Sequence, residues 1–295
     1  MYAATSRSET PIQPSQPLRL QRLHGAARVG FAGPETRLTE LYQANPCRVL
    51  LPRRTEGRDG RVEAVLLNTA GGVTDGDQLQ YSITAQSGAQ VTATTQAAEK
   101  IYRSRGADSH VQCHLAISDG AFLEWLPQET ILFNGGALAR QTHMEMDGGS
   151  RLLAMDWLLL GRLASGERLT QAAVRDRWRL RRDGRLIWAD DFRLQGDIEN
   201  LSARPALLAG ARALATLIYV ASDAADYLAM AKGLLRESHG RAGASERPGL
   251  LICRFLAPDG LTLRRDVEAF LLPFRAAIHG RPHSMPMPLP RVWAC

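Results

Sequence analysis

The chain has 295 residues, 45% hydrophobic and 22% charged, too apolar a balance for a disordered polymer. Its formal net charge of +6 rests on arginine, because Lys100 and Lys232 are the only lysines among 36 basic residues. No apolar run approaches the roughly 20 residues of a membrane-spanning helix, and Cys47, Cys113, Cys253 and Cys295 form no C-x-x-C pair, which excludes a compact thiolate zinc site and a disulfide-built scaffold.

Residues 1–20 are polar, carry Pro11, Pro14 and Pro17, and lack the apolar core of a signal peptide, so they read as a loose arm on a cytoplasmic, reduced protein. Residues 21–295 read as a single, mainly β domain. It is strand-rich over 21–200, has helices plus a strand over 201–280, and ends in an extended tail over 281–295. Leu79, Tyr81 and Ile83 alternate with polar residues, as a half-buried strand requires. Residues 91–95 are rich in β-branched side chains, residues 111–117 alternate again, and residues 122–126 follow an Asp-Gly turn. A hairpin is predicted around Asp183-Gly184, a favoured type I′ pair, with Leu180 opposite Ile187 and Arg179 opposite Trp188.

Beyond residue 200 the Ala- and Leu-rich stretch 205–219 predicts a helix, and Ser222 an N-cap for a second one running towards Gly240. Residues 250–256 read as a strand and Asp259-Gly260 as a turn. Residues 261–278 read as an amphipathic helix that Pro273 should kink or shorten.

Chemistry is sparse. The chain has no G-x-x-x-x-G-K-[ST] loop, no G-x-S-x-G elbow and no H-E-x-x-H helix, so any nucleotide must sit on a partner. Gly71 to Asp77 reads as a tight turn whose Asp75 and Asp77 suit weak binding of a divalent cation. His110 and His114 are expected on one face of a strand and Cys113 on the other. His279, His283, Met285 and Met287 place further soft ligands near the chain end. Glu124, Glu129 and Asp156 lie inside apolar runs, where a carboxylate is costly to bury alone. An ion pair with Arg162, an acid/base role and the lining of a polar channel are the three readings of Asp156, and the sequence favours the ion pair.

Four segments in order resemble the urease accessory protein D (UreD, also UreH) family. They are Asn68-Thr69-Ala70-Gly71-Gly72-Val73-Thr74-Asp75-Gly76-Asp77, then Thr94-Thr95-Gln96-Ala97-Ala98-Glu99-Lys100-Ile101-Tyr102-Arg103, then Glu124-Trp125-Leu126-Pro127-Gln128-Glu129-Thr130-Ile131. The last is Asp156-Trp157 with Leu160-Gly161-Arg162 and Ser165-Gly166-Glu167, and Pro290-Arg291-Val292-Trp293 is similar to the family terminus. Thr74 and Asp75 stand where the family has Val and Gly, and Glu99 where it has small residues. The resemblance implies a β-helically stacked fold with C-terminal helices and a non-enzymatic role in nickel insertion. It also implies a complex with UreF and the GTPase UreG on apo-urease, as a dimer of heterotrimers, without nucleic acid or membrane. It implies no tightly bound cofactor but transient Ni²⁺ in an internal polar tunnel. By motif position the tunnel carboxylates are Asp77 and Asp156, with Glu124, Glu129 and Glu167 as further members. The rival readings are a stand-alone hydrolase using Glu124 or Asp156, and a nucleic-acid binder over 175–185 with Trp178 and Trp188 as its aromatics.

Overall fold

A computed structural model describes residues 22–53, 61–162, 165–282 and 287–294. The expected N-terminal arm, His283, Met285 and Cys295 lie outside the described residues.

The chain winds back and forth between two sheets. In the seven-stranded sheet, β1 (His24–Ala32) pairs with β2 (Arg37–Ala44) at one edge, and β5 (Gln78–Ala85), β8 (Ser109–Ile117), β11 (Ala137–Met146), β13 (Gln171–Arg182) and β14 (Arg185–Asp197) follow in order. The ten-stranded sheet runs from β3 (Cys47–Leu50) through β4 (Val62–Asn68), β6 (Gln90–Thr95), β9 (Phe122–Leu126), β12 (Arg151–Leu160), β15 (Ala213–Val220) and β17 (Leu250–Ala257) to β16 (Arg241–Arg247). Two short strands, β7 (Glu99–Ile101) and β10 (Thr130–Leu132), extend it at the side of β12.

Neighbours β5, β8, β11 and β13 are parallel, as are β4, β6, β9 and β12, so successive coils stack as in a β-solenoid. Stacking in register carries Tyr81, Cys113, Thr142 and Trp178 along one row of the interior. Strands β9 and β12 are buried on both faces, which explains their near-continuous apolar runs. Their inner face meets the opposite sheet. The outer face is covered by α2 (Leu228–Leu235) and α3 (Gly260–Ile278), whose Phe270 and Phe274 pack among Phe255, Tyr219 and Tyr227. A further short helix, α1 (Ile198–Ala203), follows β14. Among the described residues no helix is long and apolar enough to cross a membrane.

Several predicted elements are found where expected, and four are corrected. The Asp183-Gly184 turn has positive φ at both residues, but a bulge between Leu180 and Arg181 sets Leu180 opposite Trp188 and Arg179 opposite Ala189, leaving Ile187 unpaired. The helix predicted over 205–219 is instead the strand β15, held between β12 and β17, so pairing overrides an Ala- and Leu-rich composition. Ser222 caps nothing: a short 3₁₀ turn, Ala224–Tyr227, precedes α2, and β16 follows where more helix was expected. Finally, Asp259 is the N-cap of α3, accepting from the Thr262 N–H, and the helix passes Pro273 and continues to Ile278.

Candidate functional site

Five carboxylates carry the expected site, and each arrives at a different place. Asp77 closes the glycine-rich turn: its Oδ1 accepts from the Leu23 N–H at 2.9 Å and its Oδ2 from the Thr74 N–H at 2.8 Å. Gly72 in this turn has φ +154°, and a Cβ there would sit 2.6 Å from the Lys100 carbonyl, so only glycine fits. Asp75 is held by the Ala107 N–H at 2.6 Å and by Arg22 at 3.0 Å, which keep its carboxyl below the usual range.

Glu124 projects from β9 towards α3. Arg275 Nε and Nη2 fork onto its two oxygens at 2.9 and 2.7 Å, Thr92 donates at 2.6 Å, and His279 Nε2 lies 2.9 Å away. Burial would raise its pKa, but Arg275 and His279 together hold it well below the ordinary carboxylate range. Burial in turn lowers the His279 pKa against the pull of Glu124. Glu129 lies nearby at the start of β10, bonded to Arg264 of α3 at 2.8 Å; that guanidinium also faces the Trp157 and Trp293 rings. Glu167 is half-buried, like Glu129, and is paired with the exposed Arg162 at 3.1 Å.

Asp156 points the other way, into the space between the sheets. Its partner is Arg140 of β11 at 2.7 Å, correcting the expected pairing with Arg162, whose carboxylate is Glu167. Arg140 also binds Asp176, its register neighbour on β13, at 2.7 Å and donates to Thr130 at 2.8 Å. One guanidinium therefore serves two carboxylates. Burial pushes the Asp156 pKa up to about 7, with Arg140 opposing and Asp176 adding, and both anions keep Arg140 charged. A cavity of about 50 Å³ bounded by Tyr81, Glu99 and Trp125 reaches this pair from one side. Another of about 40 Å³, bounded by Asp176 and by the half-exposed Arg254 with its partner Asp190, reaches it from the other. Each has room for water. Burial also pushes Glu99 up to about 7, against a hydrogen bond from Asn68.

The remaining candidates sort by face. His110 and His114 are exposed and Cys113 buried, as the strand period requires. Cys47, Cys113 and Cys253 are free and buried, and burial raises all three thiols. Among the described residues no three His, Cys, Asp or Glu side chains converge as a metal cage. Trp178 and Trp188 are buried edge to face with centroids 5.6 Å apart, so they offer no stacking platform to nucleic-acid bases. Sequence reasoning missed Arg140, Asp176, Arg264 and Arg275. Arg275 carried a signal, since it interrupts the apolar stripe of α3 four residues after Leu271.

Stacked parallel coils, a helical cover on one sheet and a charged triad between two cavities define a class: β-solenoid proteins with an internal polar seam. Within it, the chain belongs to the UreD urease accessory protein family, whose model matches residues 23–294. It is 46% identical to urease accessory protein UreD of Xanthobacter autotrophicus, covering 99% of this chain and 98% of the relative. The corresponding proteins of Azorhizobium caulinodans and Paracoccus denitrificans are 42% and 41% identical, each over 94% of this chain and 98% and 94% of their own lengths.

Proposed function

We propose that this chain is a non-enzymatic urease maturation factor that works in a cytoplasmic complex with UreF and UreG and passes Ni²⁺ to apo-urease along its internal seam. The observation that carries the proposal is the Arg140–Asp156–Asp176 triad: Arg140 and Asp156 line both cavities and Asp176 lines one. Two carboxylates against one guanidinium leave the seam net anionic when both are ionised, so a cation entering it is attracted. Oxygen ligands release a borderline ion far more readily than thiolates do, which suits a cargo that must leave. Burial raises the Asp156 pKa, which lowers the cost of exchanging a proton for the ion there.

Asp77, Glu124, Glu129 and Glu167 have complementary roles in this reading. Each is bonded to backbone N–H groups or to an arginine, and each holds a wall or rim of the seam in place. The hydrolase reading has less support, because Glu124 is saturated by its donors.

The test is co-expression of urease with UreF, UreG and either the natural chain or Asp156→Asn, followed by metal analysis of purified urease. Asp156→Asn is expected to lower nickel per urease at least several-fold while leaving co-elution with UreF intact. Equal nickel content would overturn the conduit, and a natural chain that does not co-elute with UreF would overturn the complex.

A further inference from the structure

Among the described residues no helix covers the middle of the outer face of the seven-stranded sheet, and there two histidines meet. His114 of β8 and His143 of β11 are register partners on adjacent parallel strands, with ring centroids 5.1 Å apart and planes 12° from parallel. His114 is exposed and His143 partly so. The reading of the buried seam does not use either residue.

We propose that His114 and His143 form a two-histidine site for a late first-row divalent ion, of the Ni²⁺, Cu²⁺ and Zn²⁺ class, completed by water. The spacing is what such a site requires. An ion about 2.0–2.1 Å from an imidazole nitrogen lies about 3.2 Å from the ring centre, so two rings subtending about 90–110° at one ion have centres about 4.5–5.2 Å apart. The observed 5.1 Å falls inside that interval with no backbone movement. Stacked planes cannot both contain the ion, so the rings must turn about χ2, a soft torsion for histidine. The turn gives up the ring stacking itself and the 3.2 Å contact between His143 Nε2 and Gln141 Oε1.

The surroundings set the strength of the site. Glu145, two residues on from His143, lies along the same face of β11 and adds a nearby anion. Arg179, the register neighbour of His143 on β13, donates to the Trp178 and Asp190 carbonyls, yet its charge and that of Arg181 still act on His143 against the anion of Glu145 and keep the site weak. Two imidazoles and water give a chelate from which the ion exchanges readily. His110 shares the face, but its register neighbour on β11 is Ala139, so it has no chelating partner there.

The proposal stands apart from the seam, and its test involves neither urease nor the partners. The full chain, without a histidine tag, is titrated with Ni²⁺ alone by calorimetry, and the same is done for His114→Gln, His143→Gln, the double variant and His110→Gln. Each single substitution is expected to weaken one binding event at least tenfold, the double variant to lose one equivalent, and His110→Gln to match the natural chain. A double variant that binds the same number of ions with the same affinity overturns the site. So does a loss produced equally by His110→Gln. All the substituted side chains lie on a solvent-facing sheet surface, and circular dichroism verifies that each variant keeps the fold.

Discussion

Glu124 and Asp156 occupy neighbouring strands of one sheet, each is followed by tryptophan, and each is embedded in apolar residues, yet their environments are opposite. Glu124 faces outward beneath α3, where a bidentate arginine, a threonine and a histidine satisfy it completely. Asp156 faces inward, shares its arginine with Asp176, and borders cavities on two sides. The first is a locked charge that fastens a helix to a sheet. The second is a carboxyl whose ionised form burial disfavours. Burial alone does not mark a functional carboxylate; the ratio of cations to anions around it does.

Removing the cation of the locked charge has the largest expected effect. Arg275→Ala should cost about 3–5 kcal/mol of folding stability, because it strands a buried carboxylate. Urea unfolding measures it, and a loss below about 1 kcal/mol would mean that Glu124 is not sealed as described.

Acid and base dependence gives the next largest contrast. The Glu124 pKa is depressed in the folded state, so its stabilisation is present above its ordinary value of 4.5 and is lost as the pH falls through the lower folded value. Asp156 has the opposite sign. Its folded pKa of about 7 exceeds the ordinary 3.8, so its contribution is full below about pH 4 and is lost as the pH rises through 7. Between pH 5 and 8 the natural chain should therefore lose stability relative to Asp156→Asn, measured by denaturant midpoints. Parallel pH profiles for the two proteins would remove the distinction.

The smallest expected effect concerns the rim of the locked region. Arg264 bonds Glu129 and Gln128 and faces two tryptophan rings while remaining partly exposed, so Arg264→Ala should cost about 1 kcal/mol. A shift of a few degrees in Tm would match it. A cost equal to that of Arg275→Ala would show that the two arginines are equally sealed.

Much of this was legible in the chain itself. Period-two alternation placed β5, β8 and the face of His110 and His114, because side chains of an extended backbone must alternate. Asp183-Gly184 marked its turn because both positions need positive φ. The family motifs marked the glycine-rich turn and the buried acids. What could not be read was which acid meets which base. The partner of Glu124 lies 151 residues away on α3, and Arg140 reaches Asp156 across the interior from the other sheet.

The bulge at Leu180 and the strand β15 were hidden for a related reason. Ala213–Val220 is as good a helix as a strand by composition, and only the open edges of β12 and β17 on either side make it a strand. By itself, then, the sequence determined local geometry: alternation, turns, the amphipathic stretch of α3, and the placing of carboxylates in apolar surroundings. The tertiary structure alone decided whether each carboxylate is neutralised or poised and which two histidines stand side by side. Local geometry is a property of adjacent residues, whereas electrostatic fate depends on groups that the stacking of distant coils brings together.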